Sequence, residues 1–360
     1  MSTPTSPSAD PSADPPAAPS PVPPLDDATL AALTRVVAPV GRLVAAARLT
    51  GGFFATTYAV DLADGTRVVV KTAPTATERL LTYELDLVRA EAAVYRRAAA
   101  RPDLLMPRLL RFDASRADLP GDVVVATFLD GTPWEQAGFG RVDDDPRAAC
   151  AQHDLGALMA RLHTVTGERF GYVRSVEEPA GPDGPAGARL HGDTWPEAFG
   201  RMVEAILADG ARWDVDLRPD DVRRALARHR DALAQVTVPV LVHGDLWPGN
   251  LFVTGDGALV GVIDPERALW ADPLMDLVGA DQFGRADVAP RLLAGYRSAG
   301  HELDLTSPDA RTRFLLYRMY MSAILHVESV PRGYTGDFVQ WYRRESGVLL
   351  HWALDRLLER

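Results

Sequence analysis

The stretch from residue 241 to residue 276, LVHGDLWPGNLFVTGDGALVGVIDPERALWADPLMD, constrains this chain more than any other. Val240, Leu241 and Val242 read as a short buried strand, and His243 to Asn250 as a loop. Leu251 to Val253 form a second strand, Asp256-Gly257 a turn, and Leu259 to Ile263 a third strand that delivers Asp264. β-Branched residues, period and turn chemistry together predict a hairpin with polar groups at its ends. Such a hairpin can hold Asp245, Asn250 and Asp264 close together at one edge of a small sheet.

Phosphoryl transfer is the chemistry that uses such a trio. One aspartate receives the acceptor hydroxyl's proton, while an amide oxygen and a second carboxylate hold Mg²⁺ on the phosphates. HGDLWPGN matches the kinase catalytic loop H-R-D-L-x-x-x-N, with Gly244 where arginine is usual, and Asp264-Pro265-Glu266 stands in the place of D-F-G.

The 360 residues, 47% of them hydrophobic, suit a soluble α+β protein of two lobes. Residues 1–25, built from Pro, Ser, Ala and Asp with the tandem SADPSADP, read as a disordered tail. The reading then divides the chain into a nucleotide-binding lobe over 26–128 and a catalytic and acceptor-binding lobe over 129–360. A net charge of −11 argues against nucleic acid or anionic membranes as partners. No run approaches the length of a membrane span and no leader is evident, so a cytoplasmic protein is expected. Cys150 is the only cysteine, which excludes an intrachain disulfide.

Of the 38 basic residues only Lys71 is lysine. It ends the apolar run Arg67-Val68-Val69-Val70, and a strand lysine that meets the α/β-phosphates of ATP is one reason for such an exception. Asp26 or Asp27 can cap a helix through Leu30, Leu33, Val36 and Val37. Strands are expected over Leu43–Leu49, Tyr58–Leu62 and Thr66–Lys71, and the loop between the first two offers Gly51 and Gly52 to lie over phosphates. A helix is expected from Thr77 to Ala100, with Glu91, or alternatively Glu84, as partner of Lys71. The apolar strand Asp122–Phe128 runs into a break at Leu129, where a kinase has the hinge, so Thr127 and Leu129 are candidates for contact with the nucleotide base.

Leu155, Leu158, Met159 and Leu162 mark a further helix, with His163 at its end as a structural residue. His191-Gly192-Asp193 repeats the first letters of the motif, yet Ala198 stands where Asn is required and no second aspartate follows. A structural or acceptor-rim role is expected, with Asp193 or Thr194 capping the next helix. Val222–Leu233 reads as another helix. Glu266 could touch Mg²⁺ or the acceptor, and Asp272 and Asp276 could anchor the catalytic loop. Trp195, Trp213, Asp214, Asp216 and Glu328 could receive a cationic sugar, with a core or solvated role as the alternative for each.

LVHGDLWPGN with VIDPE and ADPLMDL resembles the aminoglycoside phosphotransferase and fructosamine kinase superfamily, HGDLW in particular being similar to its ketosamine branch. The resemblance runs from about Leu43 to the C-terminal helices. It implies a protein-kinase-like fold that uses MgATP to phosphorylate a hydroxyl of a small molecule. Lys71 and Glu91 then become the nucleotide pair, Asp245 the catalytic base, and Asn250 and Asp264 the metal ligands. An aminoglycoside-like or other amino-sugar antibiotic is the implied acceptor. A ketosamine is the alternative acceptor, and a catalytically silent nucleotide-binding module the alternative of another class.

Overall fold

The computed structural model describes residues 24–49, 55–177, 189–285, 287–333 and 335–359. Asp26 caps α1 (Asp27–Val37), its carboxylate accepting from the Thr29 amide at 2.7 Å. β1 (Leu43–Leu49), β2 (Thr56–Leu62), β3 (Arg67–Thr72), β4 (Leu109–Asp113) and β5 (Val123–Thr127) form an antiparallel sheet in the order β1-β2-β3-β5-β4. Alternation along the strands divides its two faces. Val60, Val68, Val70 and Val125 pack with Leu33, Val36 and Val37 of α1, whereas Val124 and Ala126 pack with Val88, Ala92 and Tyr95 of α2 (Leu87–Ala98). Lys71, paired with Val124 and Thr57, therefore points to the face that α2 covers.

The expected helix over Thr77–Ala100 is shorter than its apolar spacing suggests. Thr82–Glu84 make a 3-10 turn, Asp86 takes a left-handed conformation at φ 64°, and α2 starts only at Leu87. Tertiary bonds override local propensity here. The amide of Thr82 donates to Asp209 at 2.7 Å, and the Glu84 carboxylate turns back to the Leu81 amide at 2.8 Å. β4, a half-buried strand whose residues do not alternate between apolar and polar, gives no signal of its own in the sequence.

Beyond β5 the chain is mainly helical. β6 (Thr132–Pro133) and α3 (Pro146–Leu162) lead to β7 (Phe170–Tyr172), α4 (Val173–Glu177), β8 (His191–Gly192) and α5 (Trp195–Arg212). The expected helix Val222–Leu233 is two helices, α6 (Pro219–Arg228) and α7 (Arg230–Ala234). They break at His229, whose ring is tied to the Leu357 carbonyl at 2.7 Å. β9 (Val240–Val242), β10 (Leu251–Val253), β11 (Leu259–Val262), β12 (Leu269–Ala271) and α8 (Leu274–Ala280) follow. The chain closes with α9 (Pro290–Ser298), α10 (Pro308–Glu328) and α11 (Asp337–Glu359). α10 is buried on every side, Phe314, Tyr317, Met321 and Ile324 included, as expected for a helix without a polar face. No described helix is long and apolar enough to cross a membrane.

The motif's strands do not share one sheet. β10 and β11 form the expected hairpin, Leu251 opposite Val262, with β6 on its other side. β9 belongs to a separate four-stranded sheet, β8-β7-β12-β9, where Val242 faces Leu269. The loop 243–250 thus spans two sheets, and its ends are held by different partners.

Candidate active site

Asp276, wholly buried in the first turn of α8, organises the loop. Its carboxylate accepts from the amides of His243 at 3.2 Å and Gly244 at 2.8 Å, and from His163 Nε2 at 3.1 Å. His163 is in turn held by Tyr296, 2.9 Å from Nδ1, so its role is structural. His243 Nε2 donates to the Ile263 carbonyl at 3.1 Å while Nδ1 accepts from the Asp245 amide at 3.3 Å. One ring thus ties the loop to the residue before Asp264. Gly244 has φ +78°, and a Cβ there would lie 2.8 Å from the Arg267 carbonyl, which explains glycine at this position. Asp272 supports a different place: it accepts from Arg313 and Tyr317, each at 2.7 Å, and from the Leu274 amide, and so anchors α8 to α10 rather than the loop.

Both oxygens of Asp245 are engaged. Oδ1 accepts from Gln282 Nε2 at 2.6 Å, and Oδ2 from Asn250 Nδ2 at 3.2 Å. Loss of surrounding water pushes its pKa up, which the nearby Arg267 guanidinium opposes. Asn250 Nδ2 also donates to the Asp245 carbonyl at 2.9 Å, so this amide's donor end faces Asp245. Asp264 leaves β11 with φ 67°, and its amide donates to the Tyr95 hydroxyl of α2 at 3.4 Å.

Lys71, 8% exposed, meets three carboxylates: Glu91 and Glu266 at 2.8 Å each, and Asp264. Burial opposes its charge, but Asp264, Glu266 and Glu91 together outweigh burial and raise its pKa well above the usual lysine value. Glu84 lies elsewhere, paired with Arg332, so Glu91 is the helix carboxylate beside the lysine. Burial, then the charge of Asp264, pushes Glu266 up to about 8, from 4.5 in an ordinary setting. The folded chain therefore keeps a proton on Glu266 that the unfolded chain releases, and stability falls as pH rises between about 5 and 8. Glu266→Gln should flatten that slope, which chemical unfolding at several pH values reads directly.

The other expected residues have mixed fates. The Thr127 amide and hydroxyl both bond to the backbone of Arg108, which commits Thr127 to the sheet. Leu129 leans on the hairpin at Gly261. Gly51 and Gly52 lie outside the described residues. In the second HGD, Asp193 is exposed and pairs with Arg169. Thr194 stands at the N-cap position of α5, as expected, though its side chain makes no capping bond, and Glu197 turns back to the Asp193 amide at 3.0 Å. Trp195 is a core residue packed on Phe199 and Tyr317. Glu328 is buried among Arg267, Arg332, Tyr83 and Tyr342, its acceptor capacity filled from within. Trp213 is half-buried, while Asp214 and Asp216 remain exposed, Asp216 turning to the Arg218 amide. Gln282 and Arg267 adjoin Asp245 without any local signal in the sequence.

Nearby oxygens of Glu91, Asp264 and Glu266 lie within 4.8 Å of one another. Carboxylate and amide oxygens without sulfur or imidazole are the donors that Mg²⁺ takes. The Asp264 carboxylate and the Asn250 amide oxygen, whose own nitrogen is turned to Asp245, fit that requirement.

Residues 45–314 match the model of a family described as the phosphotransferase enzyme family. The chain belongs to that family. As a member it is a phosphotransferase with an alcohol group as acceptor. A Klebsiella pneumoniae protein described as a ketoamine kinase is 31% identical over 112 residues, which are 31% of this chain and 81% of that one. Among solved structures, one from Thermobifida fusca described as a fructosamine-3-kinase superimposes with a TM-score of 0.61 at 21% identity, covering 93% of this phosphotransferase and 100% of that chain. A thermostable mutant of the aminoglycoside phosphotransferase APH(4)-Ia, solved with AMP-PNP and hygromycin B, gives 0.55 at 17% identity, covering 88% and 97%. The phosphotransferase thus has the protein-kinase-like α+β fold that the motif implied.

Proposed function

We propose that this phosphotransferase moves the γ-phosphoryl group of MgATP to a hydroxyl of a small amino-sugar compound. The observation that carries the reading is the convergence of Asp245, Asn250, Asp264 and the Lys71–Glu91 pair from separate elements onto one site. Residues 26–128 would serve the nucleotide and residues 129–360 the acceptor, with α2 packed against both cores.

In this mechanism Asp245 orients the acceptor hydroxyl and receives its proton on a carboxylate oxygen. Lys71, held by Glu91, places its ammonium against donor phosphate oxygens once the nucleotide competes with Asp264 and Glu266 for it. Asn250 and Asp264 would hold Mg²⁺, which neutralises phosphate charge when bound. Asp276 and His243 keep the loop rigid, so that little reorganisation is needed during transfer.

A ketosamine is the second reading of the acceptor, favoured by HGDLW and by the Klebsiella relative. Mass spectrometry of products from a panel of aminoglycosides, other antibiotics and ketosamines separates the two. A gain of one phosphoryl group on a ketosamine alone would replace the antibiotic reading, and nucleotide binding without phosphorylation of any acceptor would favour a silent module.

A further inference from the structure

Asp281 to Gly284 form a tight turn directly after α8. The Gly284 amide donates to the Asp281 carbonyl at 3.1 Å, which leaves Gln282 and Phe283 as the two central residues. A Cβ on Gly284 would meet the Asp281 carboxylate at 1.7 Å, so a larger residue there would push that side chain aside. Phe283 is seated on Trp341 and Tyr342 of α11, with ring centroids 4.8 and 5.2 Å away.

Arg318, from the middle of α10, is 2% exposed. Its Nε donates to the Arg285 carbonyl at 3.0 Å, and its terminal nitrogens reach the Asp281 carbonyl and, at 3.4 Å, the Asp281 carboxylate. A buried guanidinium is costly unless its donors are satisfied, and this one spends them on the two ends of a single turn. The turn presents the Gln282 amide to Asp245 Oδ1 at 2.6 Å. Asn250, on the other oxygen, is also a candidate metal ligand, so Gln282 is the contact free for orientation alone.

We infer that Gln282 is a positioning residue, held by the Arg318-clamped turn, whose amide fixes the Asp245 carboxylate in the rotamer that meets the acceptor hydroxyl. The inference rests on Asp245 being the base. Gln282 need touch neither nucleotide nor acceptor. A base displaced by about an ångström loses up to about a hundredfold in rate.

The test compares the unaltered chain, Gln282→Met, Gln282→Ala and Asp245→Ala by ADP release, with water, hygromycin B and fructosyl-lysine as acceptors. Gln282→Met keeps the length of the side chain but loses the donor without adding charge, so both Gln282 variants should lose about tenfold to a hundredfold in kcat. KM for ATP should stay within about twofold and the melting temperature should be unchanged, and added acetamide should restore part of the rate of Gln282→Ala. A purely structural role would tolerate the uncharged, similarly long Gln282→Met and would show in the melting temperature instead. Unchanged or increased kcat in the Gln282 variants, with Asp245→Ala inactive, overturns this inference alone. Full ADP release by Asp245→Ala, or none from the unaltered chain with any of the three acceptors, overturns the base reading and this inference with it.

Discussion

Asp245→Ala is expected to lower the rate of ADP formation by roughly 10²–10⁴-fold, the range for loss of a general base. ATP affinity should stay within about threefold, since Lys71, Glu91 and Asp264 form a cluster that Asp245 does not enter. Steady-state ADP release and calorimetric titration with ATP separate the two effects. Turnover equal to that of the unaltered chain would remove Asp245 from the mechanism.

Lys71→Met should cost about 3–5 kcal/mol of stability, because removing one member of a buried ionic cluster strands the others. Here Glu91 and Asp264 would be stranded, and Glu266 would join them as it loses its proton toward pH 8. Their remedy is protonation, so the pKa values of Glu91, Asp264 and Glu266 in the folded variant rise above those of the unfolded chain. The folded state then binds more protons than the unfolded state, and its stability falls as pH rises. The deficit relative to the unaltered chain should be larger at pH 8 than at pH 5, which urea unfolding at the two values measures. A deficit that is independent of pH would mean that packing, and not charge, sets the cost. ADP formation should fall together with stability, yet at pH 5 the variant should be folded enough to show the catalytic loss by itself.

What was legible in the sequence was local. The spacing of Asp245, Asn250 and Asp264 lies within one stretch, and Lys71 is marked by being the sole lysine on an apolar strand. β1 keeps its expected bounds, and the β10–β11 hairpin follows from its β-branched residues and turn chemistry. The rest depends on partners distant in the chain. The loop's anchor, Asp276, is completed by His163, 113 residues away, and no pattern around either residue announces the contact. Gln282 is 37 residues from Asp245 and stands in an unremarkable turn. Thr82 and Glu84 sit in helical spacing but are claimed by Asp209 and Arg332, so the predicted helix fails at its first turns. β9 was assigned to the motif's hairpin because it is adjacent in sequence, whereas β12 supplies its hydrogen bonds.

The burial of Lys71 near the end of β3 also makes the chain its own folding reporter. A lysine-specific endoprotease has a single bond to cut, Lys71–Thr72, and that bond lies in a central strand paired on both sides, with β2 and β5. Cleavage requires those pairings to open, so the rate of appearance of two fragments counts openings of the five-stranded sheet and ignores motion elsewhere. A ligand that closes over the lysine would slow the cut, and one that binds only among the C-terminal helices would leave it unchanged.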